Sequence, residues 1–197
     1  MVHQVSFLFN PNRCLGCRAC QMACAVNHDL PPGVFLRKVV CVEFVKETHL
    51  VKYYLSSSCN HCENPECFRL CPQRAYRKRR DGIVVYDAGK CNGCGTCTRS
   101  CPFGAPMVNP VTGKVIKCDL CFDRLEEGES PFCVNACPVY ALKLFDTEAS
   151  EGLDHKLIRS LPGVPRIQIT HPAVRYLPLE YGKQFGLSID CKEGDEY

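Results

Sequence analysis

The chain is predicted to be an α+β protein of short helices and small antiparallel sheets, and three features predict it. Cysteine supplies 18 of its 197 residues, far above ordinary usage, and sixteen of them fall into four sets of four. Between the sets lie short β-branched and apolar runs, each beside a turn signal. The helical windows are about ten residues or fewer, too short for a bundle. Leu, Ile, Val and Phe together number 51, about 26% of the chain, and tryptophan is absent. That is above the disordered range but thin for a self-sufficient core, so cysteine chemistry must help hold the fold. The same composition excludes a plain hydrophobic globule, a collagen-like chain and a long coiled coil.

The elements follow the cysteine sets in order. The first set is Cys14, Cys17, Cys20 and Cys24, spaced C-x2-C-x2-C-x3-C, with a helix over Arg18–Asn27. A hairpin follows, Val34–Glu47 and Leu50–Leu55, turning near Glu47-Thr48-His49. The second set is Cys59, Cys62, Cys67 and Cys71 (C-x2-C-x4-C-x3-C), with a helix over Pro65–Leu70. Asp81-Gly82 turns a second hairpin, Ala75–Arg80 and Ile83–Tyr86. The third set, Cys91, Cys94, Cys97 and Cys101, repeats the first spacing, with a helix over Thr96–Ser100. A third hairpin joins Met107–Val108 to Lys114–Lys117 through Asn109–Gly113. The fourth set is Cys118, Cys121, Cys133 and Cys137 (C-x2-C-x11-C-x3-C), with helices over Cys118–Glu127 and Pro131–Ala136 and a strand over Leu142–Phe145. The sets make four half-modules or two modules, all within residues 1–146. Residues 147–197 contain no such set and carry Pro162, Pro165, Pro172 and Pro178. Leu161, Val164, Ile167, Ile169, Val174, Tyr176, Leu177, Leu179 and Tyr181 are too apolar for a free linker, so this segment is predicted to be an extended C-terminal arm lying on a surface.

The spacing is that of bacterial ferredoxins, C-x2-C-x2-C-x3-C-P. A tight loop lets three thiolates reach one iron–sulfur cubane, while the helix after it carries the fourth cysteine toward a neighbouring cubane. Pro72, Pro102 and Pro138 follow the last cysteine and end the helix; the first set departs, with Ala25. Gly16, Gly93 and Gly95 sit where the backbone must turn between ligands. The alternative is a zinc-binding interaction module, but zinc sites use two separated pairs and have no need of a C-x2-C-x2-C triplet. The sixteen cysteines are therefore assigned as iron ligands of [4Fe-4S] clusters. Cys41, read as a buried small hydrophobe, and Cys191 are left over.

Other features exclude function classes. No stretch approaches the roughly 20 apolar residues of a membrane span, and the N-terminal run lacks a basic region and is too short for a signal peptide. Synthesis in the cytoplasm is expected, with the protein either cytoplasmic or held at a membrane face, reaching the periplasm only by export with a partner. Four oxidised clusters would add a charge of about −8 to the formal +3, giving about −5. The basic run Arg74, Arg77, Lys78, Arg79 and Arg80 is read as offsetting or partner-facing charge, not as a nucleic-acid patch. His61 is not needed as a ligand beside sixteen thiols. No nucleophile–base set, nucleotide loop or paired carboxylates provides a catalytic site.

Several segments carry a family resemblance: Asn12–Cys17, Tyr53–Glu63, Arg80–Val85, Cys101–Pro106, Lys117–Arg124 and, more weakly, Ile169–Pro172. In these the sequence resembles the four-cluster iron–sulfur electron-transfer subunits of the molybdopterin oxidoreductases, above all the dimethyl sulfoxide reductase B-subunit type. The resemblance implies two pseudo-symmetric ferredoxin-like modules, the first and fourth sets in one, the second and third in the other. It implies four ligand groups: Cys14, Cys17, Cys20 with Cys137; Cys118, Cys121, Cys133 with Cys24; Cys59, Cys62, Cys67 with Cys101; and Cys91, Cys94, Cys97 with Cys71. It further implies a non-catalytic relay between a large molybdopterin (Mo or W) subunit and an integral-membrane quinol-handling subunit or other redox partner. The rival within the class is an iron–sulfur subunit of a hydrogenase or formate-lyase complex, or a free polyferredoxin.

Overall fold

The computed structural model describes residues 3–149, 156–164 and 166–181. The N-terminal apolar run becomes its central strand. β1 (Val5–Phe9) pairs antiparallel with β8 (Leu142–Asp146), from Val5 opposite Asp146 to Phe9 opposite Leu142, and parallel with β9 (Arg175–Tyr176). With neighbours on both edges, Ser6, Phe7 and Phe9 are all buried. Neither β1 nor β9 was expected, because a five-residue run and a two-residue strand are too short to announce themselves by periodicity.

The three hairpins form where the turn signals stand. β2 (Lys38–Lys46) and β3 (His49–Ser57) pair over their full length, turning at Glu47-Thr48 with Glu47 in the left-handed region (φ 58°). Val51, Tyr53 and Leu55 are buried on one face, and Val39 with its partner Ser56 on the other. β4 (Tyr76–Lys78) and β5 (Val84–Tyr86) are shorter than the sequence suggests. There the Asp81 carboxylate accepts the Ile83 N–H and the Arg79 guanidinium, holding Arg79–Ile83 as a loop instead of a ladder. β6 (Met107–Val108) and β7 (Val115–Ile116) close the third hairpin.

Five short helices carry cysteines or follow them: α1 (Ala19–Asn27), α2 (Glu66–Arg69), α3 (Thr96–Ser100), α4 (Phe122–Glu126) and α5 (Phe132–Asn135). α1 runs three residues beyond Cys24 because Ala25 stands where the other sets have proline. α4 begins later than expected because Leu120 (φ 65°) and Cys121 (φ 51°) are left-handed and cannot continue a helix back to Cys118. α1 packs on α5, and α2 on α3.

The described part of the arm is built into this frame. Ile158 and Tyr176 exchange backbone hydrogen bonds, Leu177 N–H reaches the Phe9 carbonyl, and the Tyr53 hydroxyl donates to the Pro162 carbonyl. Leu161, Ala173, Val174 and Tyr176 are buried, and all but Ala173 belong to the same apolar core as Phe9 and Leu142, whereas Ile169 is 75% exposed. Cys41 is half-buried on β2, not fully buried as expected, because it stands on the rim of the hairpin where its thiol faces Glu43. Cys191 lies outside the described residues.

Backbone crowding yields a testable contrast. Gly93 (φ +76°) and Gly113 (φ +66°) both occupy the left-handed region, at a cost of about 1–2 kcal/mol for any other residue. A Cβ on Gly93 would stand 2.5 Å from the Gly113 carbonyl oxygen, whereas one on Gly113 would meet nothing within 4 Å. Gly93→Ala is expected to lower the thermal unfolding midpoint and the iron content clearly more than Gly113→Ala. Equal effects in a melting experiment with parallel iron analysis would show that conformation alone governs both sites.

Candidate cluster-binding site

The four sets share a local conformation that residue types only partly reveal. The residue before the second cysteine of each set, Gly16, His61, Gly93 or Leu120, has a positive φ of 70°, 43°, 76° and 65°. This left-handed residue reverses the backbone direction across two thiols and turns both to one side. Glycine adopts it freely; His61 and Leu120 are held in it by complete burial. Sequence reading identified the glycines and missed the other two, although aligning the sets on their first two cysteines marks all four.

A second turn recurs after each Cys-Pro. Arg74, Gly104 and Tyr140, three residues past Cys71, Cys101 and Cys137, are left-handed. This brings the Ala75 N–H to Cys71 Sγ (3.4 Å) and the Ala141 N–H to Cys137 Sγ (3.2 Å), while Ala105 supplies the corresponding amide to Cys101. The Gly93 N–H likewise points at Cys91 Sγ, 3.3 Å away. Amides aimed at sulfur favour the thiolate over the thiol.

The structure gathers the cysteines in space. One cavity is lined by Cys14, Cys17, Cys20 and Cys137, and another by Cys59, Cys62, Cys67 and Cys101. Packing of α1 on α5 sets Cys24 in electrostatic contact with Cys133, Cys121 and Cys118. Packing of α2 on α3 sets Cys97 beside Cys71 and Cys91, while Cys94 couples to Cys91. Burial pushes the thiols of Cys24, Cys62 and Cys67 up to about 12 and those of Cys14 and Cys121 to about 11. A buried thiol with so high a pKa remains protonated near neutrality, so holding it as a thiolate requires a positive charge brought to the sulfur, as a bound metal does.

Orphaned donors point to the same need. Among the described residues, four buried side-chain polar atoms lack a well-formed hydrogen bond: Arg37 Nε, Tyr76 OH, Tyr86 OH and Thr170 Oγ1. Each belongs to a side chain engaged with one of the sixteen sulfurs, those of Cys133, Cys97, Cys91 and Cys62 respectively. For the remaining cavity, Ser56 Oγ lies 3.4 Å from Cys20 Sγ. Thiol-lined space ringed by donors suits a soft, anionic, sulfur-bridged group, not a hard oxygen-seeking cation.

Buried cations surround the sulfurs. Arg37 donates to Ser56 Oγ (3.0 Å) and Ser58 Oγ (2.9 Å) and stacks on Phe7. Burial disfavours its charge, yet Cys133, Cys118 and Cys20 around it hold the guanidinium firmly protonated. Lys117 is also buried, its ammonium 3.6 Å from Cys59 Sγ. His61 does not converge with a cysteine set as a ligand: its Nδ1 accepts the Val84 N–H at 3.1 Å, and burial reinforced by Lys117, Lys78 and Arg37 keeps the ring neutral. His28 Nε2 lies 3.4 Å from Cys121 Sγ and, with Asp119, frames the site that Cys121 already occupies. In the basic run, Lys78 caps the Cys62 and Glu63 carbonyls and Arg79 pairs with Asp81 and Glu126, while Arg74, Arg77 and Arg80 are exposed. Lys117 and Arg37 were not singled out in the sequence, since no pattern distinguishes a buried cation from a surface one.

Comparison with known proteins agrees with this chemistry. Residues 50–147 match the 4Fe-4S dicluster domain model and residues 11–27 a 4Fe-4S binding domain model. The sequence is 38% identical over 188 residues to the B subunit of anaerobic dimethyl sulfoxide reductase from Escherichia coli (strain K12), covering 90% of each protein. It is 40% identical over 157 residues to the thiosulfate reductase electron transfer subunit PhsB of Salmonella typhi (77% of this protein, 80% of the relative). Identity to the polysulfide reductase B subunit of Wolinella succinogenes is 36% over 166 residues (82% and 86%).

The two classes of cysteine make opposite predictions. Cys41 lines neither of the two thiol-lined cavities, so Cys41→Ser should retain the full iron content and visible absorption. Cys62→Ser, inside a thiol-lined cavity, should lose iron. Iron loss in Cys41→Ser would place this thiol among the ligands.

Proposed function

Because this protein belongs to the family of [4Fe-4S] electron-transfer subunits that includes the B subunit of dimethyl sulfoxide reductase, we propose that it carries four clusters and relays electrons for a separate catalytic subunit. The ligand groups are Cys14, Cys17, Cys20, Cys137; Cys118, Cys121, Cys133, Cys24; Cys59, Cys62, Cys67, Cys101; and Cys91, Cys94, Cys97, Cys71. The observation that carries this reading is the crossed gathering of thiols, in which Cys137 lines the cavity of the first set and Cys101 that of the second.

Such crossing groups the first and fourth sets in one ferredoxin-like module and the second and third in another, within residues 1–146. Each cluster supplies one-electron exchange when bound. The rest of the work falls to the protein. Sixteen thiolates fix the positions of the clusters, and backbone amides and buried hydroxyls offset their charge. The hairpins and the arm keep water from the buried sulfurs, while Cys17 and Cys94 remain exposed. The catalytic partner is a large molybdopterin (Mo or W) subunit, and the onward partner a membrane quinol-handling subunit. Among the described residues no helix is long and apolar enough to cross a membrane, so membrane attachment is assigned to that partner.

Residues 147–197 are the arm of this domain, and it reaches the clusters as well as the partner. Glu63 and Asn64 donate backbone N–H groups to the His171 and Thr170 carbonyls, which seats Thr170 over the cavity of Cys62. Truncation after Phe145 is expected to weaken association with the large subunit and to disturb the cluster at Cys62.

Anaerobically purified protein should contain about 16 irons, four per cluster, with zinc negligible. Paramagnetic resonance of two variants tests the crossing. Cys24→Ser should alter the signal that depends on Cys118, Cys121 and Cys133, while Cys14→Ser alters a different one. Loss of the same signal in both would mean that each set holds its own cluster.

A further inference from the structure

We propose that Lys117 and His61 form a buried electrostatic bridge between the cluster held through Cys59 and the cluster held through Cys118, raising the reduction potentials of both. The inference rests on the cluster assignment above and adds a role for two side chains that ligate nothing.

Lys117 is the one buried lysine among the described residues. Its ammonium donates to Cys59 Sγ (3.6 Å), the Val84 carbonyl (2.6 Å) and the Cys118 carbonyl (2.5 Å). All three of these partners are acceptors, so the site is built for the charged form and uses all three of its donors. One contact is the first sulfur of the second set; another is the backbone of the first cysteine of the fourth set. Lys117 thus spans the seam between cysteines that the proposed ligand groups assign to different modules.

His61 completes the bridge. Its Nδ1 accepts the Val84 N–H, which places the ring proton on Nε2, and Nε2 stands 3.9 Å from Cys118 Sγ. Val84 therefore orients both groups, its N–H fixing the imidazole and its carbonyl the ammonium. Other charges face the same region: Arg37 beside Cys118 and Cys20, Lys78 at the Cys62 carbonyl, and Asp119 next to Cys118. Arg37 and Lys78 add positive potential, and Asp119 opposes it in part.

A cluster becomes one unit more negative on reduction. A fixed cation and an N–H donor at its sulfurs stabilise that state more than the oxidised one, and so raise the potential. Because Lys117 lies between two sites, it raises both together. Its charge therefore does not by itself widen the step for an electron crossing the seam. Lys117 and His61 are positioning residues for this transfer, acting through sulfur.

Redox titration of the cluster-loaded protein, followed by paramagnetic resonance and with iron measured on each variant, tests the proposal. Lys117→Gln should retain iron and lower two of the cluster midpoints, each by at least about tenfold in the reduction equilibrium, roughly 59 mV for one electron. Lys117→Arg, which keeps the charge, should leave them near the wild-type values. His61→Asn keeps an acceptor for Val84 and tolerates the left-handed backbone, so it should lower only one of those two midpoints. Full iron with unchanged midpoints in Lys117→Gln, or an equal fall in every cluster, would overturn the bridge. If Lys117→Gln loses its iron, His61→Asn decides: a fall confined to one midpoint supports the proposal and no fall overturns it. A wild-type protein without clusters would instead refute the functional assignment.

Discussion

Sixteen cysteines gathered in a small protein, seven of them buried, would be unstable company for one another unless something positive met their sulfurs. Burial raises the buried thiols, and neighbouring cysteines raise them further. The rest of the structure answers that one electrostatic demand. Left-handed residues turn thiols inward in pairs, and the turns after Cys-Pro supply amides to sulfur. Tyr76, Tyr86, Thr170 and Arg37 bury polar atoms that are costly to leave unpaired. Metal binding and folding should therefore be one process, since a cluster satisfies at once the thiolates, the orphaned donors and the thin aliphatic core.

The cysteine spacing made the cluster chemistry, the three hairpins and the short helices legible, because ligand geometry and turn chemistry are written locally. What escaped was non-local. β1 is central only because β8 and β9 arrive from residues 142–146 and 175–176, and nothing in Val5–Phe9 announces those partners. His61 had no role beside sixteen thiols; its partner Val84 lies 23 residues away, and that pairing defines one. Lys78 and Arg79 looked like surface charge, but carbonyls and carboxylates fold them into the structure. The α4 boundary shifted because Leu120 adopts a backbone conformation that its side chain disfavours, and only complete burial explains why it persists.

Sequence position also disguised the arm. Its prolines and glycines read as a segment laid on a surface, and Ile169 does face outward. Yet Ser6 donates to the Ala173 carbonyl at 2.8 Å and Leu177 bonds Phe9, so the arm covers the edge of the central sheet. An uncovered strand edge invites other chains. The segment that blocks it also delivers Thr170 to a thiol-lined cavity. Fold closure and cluster environment thus share residues, and a variant in the arm should be judged by cluster spectra as well as by partner affinity.

Net charge is a poor guide to this protein because location outweighs the sum. The formal +3 counts exposed Arg74 and Arg77 equally with buried Arg37 and Lys117. Surface charges are screened within about 10 Å at moderate salt, whereas a buried one acts through a low dielectric on the nearest sulfur. Arg37 and Lys117 should therefore govern cluster potentials, and the exposed arginines should act only on the long-range approach of other proteins. Raising the ionic strength should weaken the second effect and leave the first nearly intact. That difference follows from where the fold places its cations, and it separates the tuning of the relay from the docking of the proteins it serves.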